Sequence, residues 1–243
     1  MEIRIQNLKK TFGEKVAVDI TDYVIHSGDM LGLVGNNGAG KSTLFRLIMD
    51  LIKADTGNVV MKGHYQDVEV ETDVTATEDW KEWTGAFIDD SFLIDYLTPD
   101  EYFHFVAKIC GISNEQLEEH LAKFEHFMNN EIVGQKKLIR NLSAGNKQKV
   151  GIIAAMIQQP QILILDEPFN FLDPSSQNAI KHILRDYNRQ TGATVLISSH
   201  NLNHTTDICP RIALLENGVI IRDIQNIENS AEKELEAYFN IED

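Results

Sequence analysis

A glycine-rich stretch near the N-terminus has the residue types that bind a phosphate chain. It consists of Gly35, Asn36, Asn37, Gly38, Ala39, Gly40, Lys41, Ser42 and Thr43 and fits the pattern G-x-x-x-x-G-K-[ST]. Backbone N–H groups in such a loop face phosphate oxygens, and the N-terminus of the following helix favours negative charge. Lys41 is placed to reach the outer phosphates and Ser42 to bind Mg²⁺. A glycine-rich turn that ends in Lys-Ser by chance is the alternative interpretation.

The residues on either side of this loop favour phosphate binding. An apolar run at 30–34 has the composition of a strand and precedes the loop, and a helical pattern at 44–49 follows it. A strand, a glycine-rich loop and a helix in this order are the context that the motif requires. We therefore expect the chain to bind a nucleoside triphosphate.

Two adjacent carboxylates follow a second apolar run. Residues 162–165 are continuously apolar, as a parallel strand buried on both faces requires, and Asp166 and Glu167 come next. In ATPases with a phosphate-binding loop, an Asp at such a strand end holds Mg²⁺, so Asp166 is the candidate. Glu167 is the candidate base that receives a proton from the attacking water. Exposed acids at an ordinary strand end are the alternative.

The order of these motifs resembles that of the nucleotide-binding subunits of the ATP-binding cassette (ABC) family. A segment similar to the family signature, usually written LSGGQ, contains Leu142, Ser143, Ala144, Gly145 and Asn146. In the family this signature contacts the γ-phosphate of an ATP that the other subunit holds. The resemblance therefore implies a head-to-tail homodimer with ATP sandwiched between the subunits. From the residues alone, a simple N-capped helix at Ser143 is the alternative.

Three further positions match elements of the same family. Phe12 matches an aromatic residue that stacks on adenine, Asp173 matches the D-loop at the dimer interface, and His200 matches a histidine that contacts the γ-phosphate. A core aromatic, a helix N-cap and a structural histidine are the respective alternatives. The resemblance implies that Glu167 and His200 are catalytic, with ATP and Mg²⁺ as cofactors.

The chain departs from the family pattern at three positions. Ala144 and Asn146 replace a Gly and a Gln of the signature, and Ala144 adds a methyl group where the backbone approaches a phosphate. Asp89 is the best match to the Gln of the family's Q-loop. A carboxylate binds Mg²⁺ but cannot donate a hydrogen bond, so Asp89 joins Ser42 and Asp166 as a predicted metal ligand. We expect Asp89 to weaken ATP binding when Mg²⁺ is absent.

The elements that must position these residues indicate an α/β protein. The resemblance implies a P-loop NTPase with a mainly parallel central sheet, an N-terminal antiparallel β subdomain and an inserted α-helical subdomain. A single ABC ATPase domain is expected over 1–243. Residues 1–90 and 159–243 are expected to form the core and the antiparallel sheet, and residues from about 91 to 158 the helical part with the signature.

Local patterns predict the individual elements. Strands are expected at 2–8, 16–25, 59–61 (after a turn at 56–58), 162–165 and 194–198, and in a hairpin at 212–215 and 219–221 closed by Asn217-Gly218. The segment 64–84 is expected to be strand and loop. Helices are expected after a capping box at Thr98, after a second at Ser113 with its apolar stripe reaching Met128, near Ser143, from Asp173 to about Asn188, and over about 229–240.

The composition argues against some classes of function. The 243 residues include 22 basic and 37 acidic ones, a net charge of −15, which opposes contact with nucleic-acid phosphates. No run approaches the roughly 20 apolar residues that span a bilayer, and the N-terminus has no signal-peptide core. We expect a cytoplasmic chain held at the inner face of the cell membrane by a partner. Cys110 and Cys209 form no CxxC motif and are expected to be free thiols.

The resemblance implies an ATP-hydrolysing subunit that powers a separate integral membrane permease. Residues 92–102 resemble the exporter branch of the family, where an acidic residue often replaces the Gln of the Q-loop, so export is expected. The permease is expected to bind the groove near residues 85–105. A soluble ABC-type ATPase that acts on nucleic acid or the ribosome is the alternative, which the net charge opposes. A small-molecule kinase would leave residues 142–148 and His200 unexplained.

Overall fold

A computed structural model describes residues 1–227, 230, 231 and 235 of the chain. The last amphipathic helix that the sequence predicts, at about 229–240, lies for the most part outside the described residues. No helix within the described ranges is long and apolar enough to cross a bilayer. Cys110 and Cys209 are both free, as expected, and burial raises the pKa of the Cys209 thiol.

Strands and helices follow one another along the chain as in an α/β protein. In the described part, the strands are β1 (Glu2–Phe12), β2 (Lys15–Ile25), β3 (Met30–Val34), β4 (Thr56–Tyr65), β5 (Val68–Asp73), β6 (Thr84–Phe87), β7 (Ile162–Leu165), β8 (Thr194–Ser199), β9 (Arg211–Glu216) and β10 (Val219–Gln225). The α-helices there are α1 (Lys41–Ile48), α2 (Pro99–Ile109), α3 (Asn114–Ala122), α4 (Glu125–Met128), α5 (Ala144–Ala155), α6 (Pro174–Thr191) and α7 (Leu202–Ile208). Short 3-10 turns lie at Asp79–Glu82, Asp90–Phe92 and Ile139–Asn141.

The central sheet places the predicted phosphate-binding and catalytic strands near one another. Its described strands have the order β10-β9-β3-β8-β7-β6, and they pair in parallel except for the antiparallel β9–β10 hairpin. Every residue of β3, β7 and β8 is buried, which explains the apolar runs at 30–34, 162–165 and 195–197 within them. Because parallel strands end at one edge of a sheet, the residues that follow these three strands share one edge. The expectation of a mainly parallel central sheet is confirmed.

The N-terminal sheet is antiparallel, as predicted, with its described strands in the order β2-β1-β4-β5. Its apolar residues pack with helix α1 and one face of the central sheet in a single hydrophobic cluster. The turn predicted at 56–58 is wrong, because these residues begin β4. Gly57 has a φ of +79°, and a Cβ there would collide with the backbone of Asn7. The close approach lies where the register between β1 and β4 is irregular.

The segment between β6 and β7 is mainly helical and packs on the other face of the central sheet. Both predicted capping boxes are present, at Thr98 before α2 and at Ser113 before α3. The stripe predicted to reach Met128 in one helix is interrupted between α3 and α4. The N–H groups of Lys123 and Phe124 donate hydrogen bonds to the carbonyl oxygens three residues earlier. This pattern tightens the backbone, and a new helix, α4, begins after it. The domain boundaries near residues 90 and 159 stay a prediction.

Candidate functional site

The glycine-rich loop joins β3 to α1, and distant backbone groups fix its shape. Gly40 caps α1 with a φ of +112°, a conformation that L-residues with side chains rarely adopt. A Cβ on Gly40 would also collide with the carbonyl oxygen of Ala17 in β2. A Cβ on Gly35 would collide with the carbonyl oxygen of Leu215 in β9. The motif therefore needs glycine at both positions because two other strands lie against the loop.

Lys41 is buried at the start of α1, and its ammonium group points into the loop. Its Nζ donates a hydrogen bond of 2.7 Å to the carbonyl oxygen of Gly35 and lies 3.6 Å from a carboxylate oxygen of Glu167. A buried ammonium group requires such partners, since its transfer from water is costly. Lys41 thus links the loop with the end of β7.

Asp166 follows β7 and is buried between hydroxyl groups from two other elements. Ser198 of β8 and Ser42 of α1 both hydrogen-bond its carboxylate. Burial raises the pKa of Asp166 above its usual value, although these two hydrogen bonds favour the charged form. The structure therefore brings together Ser42 and Asp166, two oxygen ligands of the kind that Mg²⁺ prefers.

Glu167 has a φ of +48°, which is uncommon for a residue other than glycine. Its N–H donates to Ser198 Oγ at 2.8 Å, and its carboxylate lies 2.8 Å from Nδ1 of His200. Residues held in such backbone conformations cluster at functional sites. The two predicted catalytic residues are thus in direct contact, in an arrangement that can orient a base.

Asp89 lies two residues after the end of β6 and has partners on both carboxylate oxygens. Arg46 of α1 donates to one oxygen at 3.0 Å, and the N–H of Ser91 donates to the other at 2.9 Å. Burial raises the pKa of Asp89, but hydrogen bonds from Ser91 and Arg46 outweigh it and hold the pKa below its usual value. Asp89 is therefore an anion attached to α1, and its role as a metal ligand stays a prediction.

The signature-like segment forms the exposed start of α5. Ser143 is the N-cap and accepts a hydrogen bond from the N–H of Asn146 at 3.2 Å, so the capped-helix interpretation describes the local structure. Ala144 is helical, and its methyl group adds no backbone strain. A Cβ on Gly145 would lie 2.5 Å from the carbonyl oxygen of Phe171. Gly145 is thus required by a contact within the chain, and the role of the signature in a second subunit stays a prediction.

A cavity of about 300 Å³ lies beside the glycine-rich loop. Its walls are formed by Phe12, Lys15, Ala17, residues 37, 38 and 40–43, and Glu167. Phe12 is 54% exposed there, so it is not a core residue. An exposed aromatic ring beside a phosphate-binding loop can stack on a base, which is the role that Phe12 is predicted to have.

Asp173 caps α6. Its carboxylate accepts hydrogen bonds from the N–H groups of Ser175 at 2.9 Å and Ser176 at 3.0 Å. The exposed Phe171 lies two residues earlier and has a φ of +64°. The position of Asp173 as an N-cap is compatible with the predicted D-loop, whose contacts with a second subunit stay a prediction.

Sequence patterns do not single out three further residues of the site. Ser198 holds both Asp166 and the backbone of Glu167, and only its place at the end of an apolar strand could have indicated it. Gln148 of α5 donates to the carbonyl oxygen of Glu167 at 3.1 Å. Lys15 reaches the cavity from the β1–β2 hairpin. Ser198 and Lys15 belong to no short motif, and Gln148 lies in the signature-like segment at 142–148, whose pattern does not indicate a contact with Glu167.

A family model described as ABC transporter matches residues 18–170 of the chain. This range includes the glycine-rich loop, the signature-like segment and both acids after β7. The chain belongs to the ABC transporter family. It is an ATP-binding subunit of an ABC transporter, and its expected activity is ATP hydrolysis.

Relatives in the family include a resistance protein and an import protein. The uncharacterized ABC transporter ATP-binding protein YdbJ of Bacillus subtilis is 30% identical over 95% of the chain and 72% of its own length. The linearmycin resistance ATP-binding protein LnrL of the same organism is 30% identical over 90% of the chain and 68% of its length. The methionine import ATP-binding protein MetN of Streptococcus agalactiae is 32% identical over 91% of the chain and 63% of its own length.

Solved structures of ABC cassettes have the same fold. One, described as the ATP binding subunit of an ABC transporter, superposes with a TM-score of 0.79 and 24% identity over 97% of the chain and 94% of its own. The dimeric structure of MJ0796, a bacterial ABC transporter cassette, gives a TM-score of 0.78 and 23% identity. The match covers 93% of the chain and 99% of the MJ0796 chain. The α/β fold of this subunit is therefore that of an ABC ATPase cassette.

Proposed function

We propose that two copies of this subunit bind ATP and Mg²⁺ between them and that ATP hydrolysis drives a separate membrane permease in the direction of export. The observation that supports hydrolysis best is the position of Glu167. Its carboxylate lies between Lys41 and His200, at the same edge of the sheet as Ser42 and Asp166. The phosphate-binding loop, the metal ligands and the candidate base therefore share one site.

The residues present fit a magnesium ion that arrives with ATP. Ser42 and Asp166 provide a hydroxyl and a carboxylate oxygen, and Mg²⁺ usually combines one or two such ligands with phosphate oxygens and water. Across the described residues, no group of three or more His, Cys, Asp or Glu side chains forms a metal site by itself. When bound, Mg²⁺ would neutralise charge on the phosphates.

Each residue of the site has a separate role in the proposed hydrolysis. Lys41 binds the outer phosphates, and Glu167 receives a proton from the attacking water. Nδ1 of His200 lies 2.8 Å from the carboxylate of Glu167, and the proposed role of His200 is to contact the γ-phosphate as well. Ser198 fixes Asp166 and the backbone of Glu167, so the metal ligand and the base keep a constant relative position.

The exposed signature supports a second copy as the occupant of this surface. Ser143 and Ala144 are exposed at the N-terminus of α5, where free N–H groups favour an anion. The exposed Phe171 lies beside Gly145. A head-to-tail dimer would bring this surface against the γ-phosphate of an ATP bound to the other copy. MJ0796, which has the same fold, is a dimer.

Export is supported by the resemblance of residues 92–102 to the exporter branch and by the linearmycin resistance protein among the relatives. Residues 92–109 carry four exposed large apolar side chains, Phe92, Tyr96, Phe105 and Ile109, which we call the apolar patch. Such a patch on a subunit that needs a membrane partner is a candidate permease contact. MetN, a methionine import protein, makes import the second candidate direction.

Replacement of Glu167 by Gln tests the mechanism. The variant keeps the size of the side chain but cannot accept the proton, so ATP hydrolysis should fall by about 10²- to 10⁴-fold while ATP still binds. With MgATP it should accumulate as a dimer in sedimentation experiments. Glu118→Gln, at an exposed position of α3, is the control. A monomeric or fully active Glu167→Gln variant would refute the proposed role.

A further inference from the structure

Three lysines lie at or near the end of the β1–β2 hairpin, and two of them have acidic partners. Lys9 binds Asp19 at 2.7 Å, and Lys10 binds Asp55 at 2.9 Å. Lys15 has no acidic group within 4.0 Å among the residues that the structure describes. In a chain with a net charge of −15, a lysine without such a partner has its positive charge available for a ligand.

The position of Lys15 connects it with the proposed nucleotide cavity. It lies directly opposite Phe12 in the register of β1 and β2, and opposite residues of paired strands have their side chains on one face. Both side chains line the cavity. The Nζ atom of Lys15 is 3.4 Å from the point that a Cβ on Gly38 would occupy, so the ammonium group lies against the glycine-rich loop.

We propose that Lys15 binds the phosphate chain of the nucleotide as a second cation besides Lys41. This inference rests on the proposed placement of ATP in the cavity, with its base on Phe12. A lysine is a flexible point charge that can follow a phosphate group from an exposed hairpin. Lys41, and not Lys15, contacts Glu167, so the contribution of Lys15 is to affinity and not to the chemical step.

Neutralisation of Lys15 tests this role. In Lys15→Gln, the affinity for MgATP and MgADP should fall by about three- to tenfold at low salt, as expected for the loss of one charge-assisted contact. The difference from the wild type should shrink at 0.5 M salt because exposed charges are then screened. The KM for ATP should rise by more than the kcat changes, because the proposed contact acts on affinity. Lys9→Gln removes an equal charge from β1 and should bind both nucleotides within about twofold of the wild type.

Two further variants make the test specific. Lys15→Arg distinguishes an effect of charge from an effect on structure, and Lys41→Met distinguishes failure of this inference from failure of the proposed site. Lys15→Arg keeps the charge and should bind like the wild type. Equal affinity of Lys15→Gln and Lys9→Gln would overturn the inference, as would an equal loss in Lys15→Arg and Lys15→Gln. If Lys41→Met loses ATP binding while Lys15→Gln does not, only the role of Lys15 fails. If Lys41→Met binds ATP like the wild type, the proposed placement of ATP fails.

Discussion

At the scale of single residues, the candidate base is held from three sides. The N–H of Glu167 is bound to Ser198, its carbonyl oxygen to Gln148 and its carboxylate to His200, while Lys41 lies 3.6 Å away. These contacts offset the cost of its left-handed backbone conformation, which is on the order of 1–3 kcal/mol. The carboxylate is thus oriented before any water reaches it, which is the requirement for efficient proton transfer.

Asp89 provides a prediction at the same scale. Its negative charge lies at the end of β6 and is bound by Arg46 of α1. Asp89→Gln removes this charge and releases the Arg46 cation, so ATP without metal should bind on the order of threefold to tenfold more tightly. The affinity for MgATP should change less. Measurement of ATP affinity with MgCl₂ and with EDTA checks the effect.

The neighbouring acid is the control for Asp89. Asp90 pairs with Lys147 of α5 at 3.2 Å and not with α1, so Asp90→Asn should leave the ratio of the two affinities close to that of the wild type. Equal ratios in the wild type and in Asp89→Gln would show that Asp89 does not make nucleotide binding dependent on metal.

At the scale of elements, the site exists because buried parallel strands end together. β7 is followed by Asp166 and Glu167, β8 supplies Ser198 and is followed by His200, and β3 leads into the loop with Lys41. Helix α1 packs in one hydrophobic cluster with residues of both the central and the antiparallel sheets. The position of each side chain therefore depends on strand register and not on the loops alone.

The contact between α3 and α5 predicts a dependence of stability on pH. His120 is buried, and its Nε2 donates to the carbonyl oxygen of Ile153 at 3.1 Å. Burial lowers the pKa of His120 to about 4, below its usual value of 6.5. The unfolded chain therefore binds more protons between these values, so His120 costs stability as the pH falls from 6.5 to 4, by an amount on the order of 2–3 kcal/mol.

Replacement of His120 by Gln should remove this dependence. The amide does not titrate and can still donate to the Ile153 carbonyl oxygen, so the free energy of unfolding should fall less steeply between pH 6.5 and 4 than in the wild type. Denaturant titrations at several pH values measure the two slopes. His126→Gln, at an exposed position of α4, should keep the wild-type slope. Equal slopes in all three proteins would contradict the prediction.

At the scale of the whole molecule, the nucleotide cavity and the proposed permease contact lie on different segments. The cavity with Lys41 and Glu167 uses the core sheet and the β1–β2 hairpin. The apolar patch lies on residues 92–109, just before and along α2. A change at the patch should therefore alter the contact with a permease and leave the nucleotide site intact.

Charged residues in the apolar patch test the permease contact. Ile109 and Tyr96 are 69% and 72% exposed, so Ile109→Asp and Tyr96→Asp should not disturb the core. Burial of an unpaired carboxylate in an interface is costly, and recovery of the subunit with membranes should fall about tenfold. ATP hydrolysis by the purified subunit should stay at the wild-type level.

Val68 provides the matched control for this experiment. It is 62% exposed at the start of β5, on the antiparallel sheet, so Val68→Asp should keep the wild-type recovery with membranes. Recovery of the patch variants at the level of Val68→Asp would show that the permease binds elsewhere.

The sequence by itself determined the features that depend on neighbours along the chain. The capping boxes at Thr98 and Ser113 and the Asn217-Gly218 hairpin turn are each formed by a few consecutive residues. A short pattern therefore contains most of the interactions that form them. The ordered motifs likewise indicated the family and its fold.

Only the tertiary structure decided the features that depend on distant groups. Gly57 lies in a strand because the backbone of Asn7 approaches it, and Gly145 is required by a carbonyl oxygen at Phe171. Lys15 belongs to the cavity because the pairing of β1 with β2 places it opposite Phe12 and against the glycine-rich loop. Packing and strand register bring these groups together, and residues far apart in a sequence do not reveal such contacts by local pattern.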